Sequence, residues 1–178
     1  GMFAFSIWDE SKNTIVLGRD RLGIKPLYYA DTADGLVWGS ELPVLLCAGV
    51  DRKLNEKAVY NHFTLGYTPW RQTVVDSIEK LPPGTLLVST PTGTEEHTYW
   101  SLDASRQQNP PSFEEASRQV RTMLERSVKR RLMADVPVGA FLSGGLDSSS
   151  VVGLMSQLRD DPIDTFSLTF EDPEIDES

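Results

Sequence analysis

The most constraining feature of this sequence is an apolar run that leads into a turn rich in glycine and serine. Residues 136–142 are almost continuously apolar, as is typical of a strand buried on both faces. Residues 143–149 are Ser-Gly-Gly-Leu-Asp-Ser-Ser, and a helical apolar spacing follows over residues 151–158. Beyond Asp161-Pro162, residues 165–170 alternate as a second strand does. This order predicts one right-handed βαβ unit.

The turn between the first strand and the helix has the composition of an anion site. Gly144 and Gly145 allow the backbone to turn sharply and to approach a ligand closely. Amides in such a turn favour phosphate, together with the positive end of the following helix. Ser143, Ser148 and Ser149 add hydroxyl donors at the carboxyl end of a strand, where open parallel sheets bind ligands. A tight turn with a good helix cap is the alternative interpretation.

Two familiar phosphate motifs are excluded. Gly139 and Gly144 have the spacing of a Walker A glycine pair, but Gly145-Leu146 stands where that motif requires lysine and serine or threonine. The G-x-G-x-x-G dinucleotide fingerprint is also absent from the sequence. The acid within the turn, Asp147, is the candidate ligand of Mg²⁺, which favours carboxylate, water and phosphate oxygens.

The first hundred residues have a different pattern, that of short strands at hairpin spacing, which predicts an antiparallel sheet. Short helices are expected to begin at Ser40-Glu41 and after an Asn55 cap. We interpret Arg19, Asp20 and Arg21 as part of the scaffold. The predicted strands are residues 3–8, 14–17, 27–29, 36–38, 85–88 and 96–99.

A polar stretch, residues 103–111, separates the two patterns and ends in a proline pair. We therefore predict one domain over residues 1–102, a linker over 103–111 and a second domain over 112–178. Ser112 and Glu115 form a capping box at the start of the second domain. The helix that follows has one apolar face, formed by Val120, Met123, Leu124, Val128 and Leu132.

Composition restricts the class of protein. The net charge of -9 over 178 residues argues against a general nucleic-acid binder. The single cysteine, Cys47, excludes an internal disulfide and fits a reducing compartment, and its apolar neighbours predict that it is buried. His62 and His97 lack partners at zinc-ligand spacing. The four tryptophans are expected to pack in the core or on hairpins, at Trp8, Trp38, Trp70 and Trp100.

No apolar run approaches the roughly 20 residues of a membrane span. We therefore expect a cytoplasmic protein with small-molecule partners and without nucleic-acid or membrane binding. The sequence leaves a homo-oligomer open.

Residues 143–149 resemble the pyrophosphate-binding loop of the N-type ATP pyrophosphatases, and residues 132–139, which lead into it, resemble the glutamine-hydrolysing asparagine synthases. The first half resembles the back half of a class II glutamine amidotransferase domain. The segments that carry this second resemblance are residues 1–5, 18–29, 40–41, 81–84 and 99–100.

The resemblance implies a mixed fold, α/β with α+β. The back half of an N-terminal-nucleophile glutaminase domain, built from antiparallel sheets, would join the start of a parallel-sheet ATP pyrophosphatase domain. The implied activity is that of a ligase. ATP adenylates the side-chain carboxylate of aspartate, and ammonia from glutamine then displaces AMP. The implied cofactors are ATP and Mg²⁺.

The same resemblance implies an ATP-binding role for Phe141, Leu142, Ser143, Gly144, Gly145, Leu146, Asp147, Ser148, Ser149 and Leu168. Asp147 would be the Mg²⁺ partner, Phe141 and Leu142 would border the adenosine, and the backbone of Leu168 would face the adenine. The implied glutaminase nucleophile is an N-terminal cysteine, whereas this sequence begins Gly1-Met2, so no catalytic residue is assigned. We expect an internal piece that is inactive and poorly folded alone.

Three alternatives stay open at this stage. A related amidotransferase could act on another carboxylate, such as a cell-surface sugar acid, or close a β-lactam ring. An ATP pyrophosphatase without amidotransfer could serve NAD⁺, GMP or argininosuccinate synthesis or tRNA thiolation, although the first half of the chain argues against it. An acidic interaction module would leave residues 143–149 unexplained.

Overall fold

The computed structural model describes residues 1–105 and 110–169. The chain divides into two compact units, residues 1–105 and 106–178, and each is considered by itself. Part of the predicted linker, residues 106–109, lies outside the described residues, as do the acidic end of the chain and Phe170 of the predicted second strand.

The first unit consists of seven strands and two short helices. They are β1 (Ala4–Asp9), β2 (Thr14–Arg19), β3 (Tyr28–Thr32), β4 (Gly35–Gly39), α1 (Leu42–Cys47), α2 (Glu56–Leu65), β5 (Glu79–Lys80), β6 (Thr85–Thr90) and β7 (Gly93–Thr98). One sheet has the order β1-β2-β6-β7 and the other β4-β3-β5, and the pairings are antiparallel, as predicted. Its buried core includes Leu17, Leu27, Leu45, Ile78, Leu81 and Leu87.

Local signals in the sequence set several element ends. The backbone N–H of Ala58 donates to Asn55 Oδ1 at 3.0 Å, which confirms the predicted cap of α2. That helix ends at Gly66, whose φ of 79° is a left-handed conformation that favours glycine. The predicted short helix after Ser40-Glu41 is α1.

Arg19 and Asp20 organise the segment that connects β2 to β3, in agreement with their interpretation as scaffold. The Asp20 side chain is 1% exposed. Its carboxylate accepts hydrogen bonds from four backbone N–H groups, those of Phe3, Leu22, Ile24 and Lys25. The Arg19 guanidinium donates to the carbonyls of Gly23, Lys25 and Leu81. The two side chains therefore fix the backbone of this segment, because Asp20 accepts from its N–H groups while Arg19 donates to its carbonyl groups.

The described part of the second unit contains α3 (Phe113–Arg131), β8 (Ala140–Phe141), α4 (Leu146–Leu158) and β9 (Thr165–Phe166). The backbone N–H of Glu115 donates to Ser112 Oγ at 3.2 Å, so the predicted cap of α3 is confirmed. Strands β8 and β9 are parallel, with Ala140 opposite Thr165, which confirms the βαβ unit. A small core built on Val128, Leu154 and Met155 joins both helices to Ala140 of β8.

The predicted fold class is confirmed, because antiparallel sheets form the first unit and a parallel pair with helices the second. None of the helices within residues 1–105 and 110–169 combines the length and apolar character that a membrane crossing requires.

The prediction that residues 136–142 form a strand buried on both faces is wrong. Only Ala140–Phe141 is a strand, and the Phe141 side chain is 77% exposed. Adjacent strand residues point to opposite faces. Ala140 packs on the core of α3 and α4, whereas Phe141 lies on the face that the described residues leave open. The second strand is likewise shorter than predicted and covers Thr165–Phe166.

Other burial predictions also fail. Cys47 is exposed, because the core-facing residue of α1 is Leu45 and residues two apart on a helix point in nearly opposite directions. On α3 only the end of the predicted apolar face is covered, so Val120, Met123 and Leu124 remain exposed while Val128 is buried. Of the tryptophans, Trp38 packs against the core and Trp8 lies on the β1–β2 hairpin, as expected, whereas Trp70 is exposed and lies outside the strands.

Candidate phosphate-binding site

The candidate site is the turn between β8 and α4, residues Ser143–Ser149, which we name the glycine–serine loop. It starts where the parallel strand pair ends. The Ala140 N–H donates to the Asp164 carbonyl and the Leu142 N–H to the Phe166 carbonyl, both at 2.9 Å. These two bonds carry the ladder to the last residue before the loop, so the loop emerges at the carboxyl edge of the parallel pair.

Gly144 makes the sharp turn at the start of this loop. Its φ is +74°, a left-handed conformation that is sterically unfavourable for residues other than glycine. Gly145 then takes an extended conformation as the N-cap of α4, with φ -70° and ψ 159°. The Ser149 N–H donates to the Gly145 carbonyl at 3.1 Å and closes the first helical turn. The two glycines therefore have different structural roles: Gly144 forms the turn, and Gly145 is the N-cap of α4.

The helix that follows begins with its first-turn N–H groups directed toward the loop. Because the N-cap is a glycine, it has no side chain with which to cap these donors. The positive end of the helix dipole lies at the same place. A helix start of this kind is suited to an anionic group such as a phosphate.

The serines of the glycine–serine loop contact one another. The Ser143 N–H donates to Ser148 Oγ at 3.3 Å, and the two serine hydroxyl oxygens lie 3.2 Å apart. Ser148 Oγ in turn donates to the Gly145 carbonyl at 3.1 Å. Ser148 is thus the residue that closes the loop on itself, while Ser143 and Ser149 are exposed.

Asp147 lies in the first turn of α4 and is exposed. A carboxylate there is stabilised by the helix dipole and also stands beside the candidate phosphate site. Among the described residues, no group of three or more His, Cys, Asp or Glu side chains could hold a metal ion. An Mg²⁺ ion at Asp147 would therefore need its other ligands from phosphate oxygens and water.

The apolar members of the predicted site lie at the ends of the two strands. Phe141 contacts Phe166 across the strand pair, with their ring centroids 6.4 Å apart. Leu142 is half-buried, and the side chains of Leu146 and Leu168 are largely exposed, Leu168 at 74%. Parallel pairing thus brings the residues after β8 and after β9 to the same edge, as the interpretation of Leu168 required.

Sequence reasoning passed over Ser167, which also reaches this edge. Its hydroxyl donates to the Leu142 carbonyl at 2.6 Å. The signal was present in the sequence, since Thr165, Ser167 and Thr169 alternate with apolar residues and put three hydroxyls on one side of the predicted strand.

Comparison with known proteins identifies both halves of the chain. A family model described as a glutamine amidotransferase domain matches residues 1–100, and one described as asparagine synthase matches residues 119–178. The chain belongs to the glutamine amidotransferase domain family. Its second half is similar to asparagine synthase.

Two curated proteins are similar to nearly the whole chain. Asparagine synthetase [glutamine-hydrolyzing] 3 of Bacillus subtilis is 31% identical over 97% of the chain and 29% of its own length. A putative asparagine synthetase [glutamine-hydrolyzing] 2 of Methanocaldococcus jannaschii is 37% identical over 96% of the chain and 34% of its own length. The chain therefore spans about a third of the length of these relatives.

A solved structure of the B. subtilis glutamine phosphoribosylpyrophosphate amidotransferase, complexed with ADP and GMP, aligns with 91% of the chain and 31% of its own length. The identity is 18% and the TM-score 0.33, so family membership rests on the sequence matches.

Proposed function

We propose that the protein to which this chain belongs is a ligase that converts aspartate to asparagine with ATP and glutamine-derived ammonia. The observation that carries the proposal is the glycine–serine loop, which joins the carboxyl edge of a parallel strand pair to the start of α4. The loop lies within residues 119–178, which match the asparagine synthase family model. Aspartate, glutamine and ATP are the proposed substrates, and the cytoplasm is the proposed location.

The loop is proposed to hold the β- and γ-phosphates of ATP. This assignment is supported by the left-handed turn at Gly144, the glycine cap at Gly145 and the exposed residues Ser143 and Ser149, which carry hydroxyl groups. These groups neutralise phosphate by hydrogen bonding and by the helix dipole, without the lysine that a Walker A site uses. Leu142, Phe141 and the backbone of Leu168 are proposed to border the adenosine.

The proposed reaction has two steps. A carboxylate oxygen of the aspartate side chain attacks the α-phosphorus of ATP, the bond to the bridging oxygen breaks, and pyrophosphate leaves. Ammonia then attacks the acyl carbon of the resulting β-aspartyl-AMP, AMP leaves with the electrons of its bond to that carbon, and the nitrogen releases one proton to give the neutral amide. Donors around the departing pyrophosphate stabilise its developing charge, which is the contribution expected of the glycine–serine loop. Mg²⁺ at Asp147 would supply further charge neutralisation.

The test is pyrophosphate release by the full-length protein from ATP, with ammonium as the nitrogen source, measured with and without aspartate. Release of pyrophosphate and AMP only when aspartate is present supports the proposal. Turnover of ATP to ADP, or no turnover with any carboxylate tried, would refute it. Pyrophosphate release that ignores aspartate but responds to another carboxylate would keep the ATP site and move the function to a related amidotransferase.

A further inference from the structure

We propose that Ser167 is a positioning residue for the glycine–serine loop, an inference that rests on the proposed ATP site. Its hydroxyl donates to the Leu142 carbonyl at 2.6 Å. Leu142 is the last residue before the loop, so this bond orients the peptide group from which the loop starts.

Both backbone polar groups of Leu142 are held by the opposite strand segment. Its N–H donates to the Phe166 carbonyl at 2.9 Å, and its carbonyl accepts from the Ser167 hydroxyl. The N–H bond fixes the peptide plane that precedes Leu142, and the carbonyl bond fixes the plane that follows it. The second of these planes is also the one that carries the Ser143 N–H.

This additional bond is important because the strand pair is short. Strands β8 and β9 contain two residues each, so little of the regular ladder stands behind the loop. The strands are also in close contact, since a Cβ placed at Gly139 would lie 2.8 Å from the Asp164 carbonyl oxygen. The Ser167 hydroxyl extends the pairing by one hydrogen bond at the end that faces the loop.

The first residue of the loop is held from its other side by Ser148. The Ser143 N–H donates to Ser148 Oγ at 3.3 Å, across the turn that Gly144 makes. Ser143 is therefore fixed through Leu142 behind it and through Ser148 ahead of it. If the Leu142 carbonyl were released, the peptide of Ser143 could rotate and the loop donors would no longer converge on one phosphate position.

Ser167 also lies where the proposed base and phosphate sites meet, because Leu168 directly follows it and the Leu142 carbonyl accepts a hydrogen bond from its hydroxyl. Its hydroxyl proton is engaged with Leu142, so its effect on ATP is expected to pass through the loop rather than through contact with the nucleotide. A threonine would keep the hydroxyl, and the exposed position of Ser167 leaves room for the additional methyl group.

The experiment compares four forms of the full-length protein: the wild type, Ser167→Ala, Ser167→Thr and Ser156→Ala. Ser156 is a matched control, because it is exposed and its hydroxyl donates to the Gly153 carbonyl at 2.9 Å within α4. Ser156→Ala therefore removes the same kind of hydrogen bond away from the loop. The measured quantities are the KM for ATP and for aspartate in pyrophosphate release, the glutaminase rate without ATP, and the melting temperature.

We expect Ser167→Ala to raise the KM for ATP about three- to tenfold, the effect of losing one positioning hydrogen bond. The KM for aspartate and the glutaminase rate should stay within about twofold of the wild type, since neither depends on this bond. Ser167→Thr should restore the wild-type KM for ATP, and Ser156→Ala should leave it unchanged.

An unchanged KM for ATP in Ser167→Ala would overturn the inference, as would an equal rise in Ser156→Ala or a failure of Ser167→Thr to restore it. A parallel fall of both activities together with the melting temperature would show a role in folding alone and overturn it too. A wild-type protein that neither binds ATP nor releases pyrophosphate would overturn the proposed function, and this inference with it. An active wild type with an unaffected Ser167→Ala would overturn the inference alone.

Discussion

Arg71 and Glu96 form a bidentate ion pair that connects the two sheets of the first unit. Nη1 of Arg71 donates to Glu96 Oε1 at 2.7 Å, and Nη2 donates to Oε2. The same guanidinium donates to Glu79 and to the Tyr29 hydroxyl. Glu96 lies on β7 of one sheet, whereas Glu79 and Tyr29 lie on β5 and β3 of the other. Both members of the pair are about 70% shielded from solvent, with 30% and 28% of their side chains exposed.

We expect Glu96→Gln to lower the free energy of unfolding of the first unit by about 1–2 kcal/mol, because the amide has no negative charge and only one oxygen to accept from the Arg71 guanidinium. Glu95→Gln is the matched control. Glu95 is its exposed neighbour and stands 3.6 Å from His97, so we expect a change below about 0.5 kcal/mol. Urea unfolding followed by tryptophan fluorescence measures both, since all four tryptophans lie within residues 1–105. Equal effects of the two substitutions would contradict the importance of the pair.

Asp20 should make the first unit sensitive to acid. Burial alone would raise the pKa of its carboxyl, but the N–H donors of Lys25, Ile24, Leu22 and Phe3 outweigh burial and hold the pKa below its ordinary value of 3.8. The stability that comes from this depressed pKa is present above pH 3.8 and is lost as the pH falls below it through the folded-state pKa.

The variant Asp20→Asn tests this expectation. At pH 7 it should be less stable than the wild type by about 1–3 kcal/mol, because its amide group brings a donor to a site filled with donors. The difference should shrink as the pH falls below 3.8, where the wild type takes up its own proton. Urea unfolding at pH 7 and pH 3 measures it, with Asp34→Asn in an exposed turn as the control. A difference that stays constant between the two pH values would contradict the prediction.

Gly144→Ala should impair ATP use. A β-carbon at φ +74° costs about 1–2 kcal/mol, and relief of that strain would turn the loop amides away from the phosphates. We expect pyrophosphate release by the full-length protein to lose at least about tenfold in kcat/KM for ATP. Gly153→Ala is the control, because a Cβ there meets no atom within 4 Å and alanine favours the helix. Comparable losses in the two variants would argue against the assigned role of the turn.

Gly139→Ala should separate the parallel strand pair. The added Cβ would lie 2.8 Å from both the Asp164 carbonyl oxygen and the Phe166 ring, and a backbone oxygen cannot move aside without shifting β9. Amide hydrogen exchange at Ala140 and Leu142, whose N–H groups donate across the pair, should become faster by about tenfold or more. Unchanged exchange at these two amides would show that the strands can accommodate the methyl group.

Sequence reasoning succeeded where the signal is local. Asn55 and Ser112 cap their helices through a side-chain oxygen that accepts from the backbone N–H three residues later, a contact that residue type and spacing already define. The alternation in β1 and the apolar run in β2 likewise predicted their pairing, because a short turn joins them. For the candidate site, strand, loop and helix lie in the predicted order, while the ligand roles of residues 141–149 and Leu168 stay predictions.

Contacts between residues that are distant along the chain could not be predicted from the sequence. Arg71 and Glu96 are 25 residues apart, and neither belongs to a motif that would pair them. Whether an apolar residue is buried depends on which element covers it, so Phe141 and Cys47 could not be placed from their apolar neighbours alone. The alternation of residues 165–169 marks Ser167 as one of three hydroxyls on one side of the strand, but its partner could not be predicted, since Leu142 becomes adjacent only when β9 aligns in parallel with β8.

The exposed position of Cys47 gives this chain a single site for thiol-specific labelling. The sequence contains one cysteine, and it lies at the accessible end of α1 in the first unit. A maleimide fluorophore should therefore attach at one known place without any substitution, and Cys47→Ser should abolish the labelling. The same thiol can link two copies by oxidation, so sizing of the protein in solution should include a reductant if a dimer is to be ascribed to folded surfaces rather than to a disulfide.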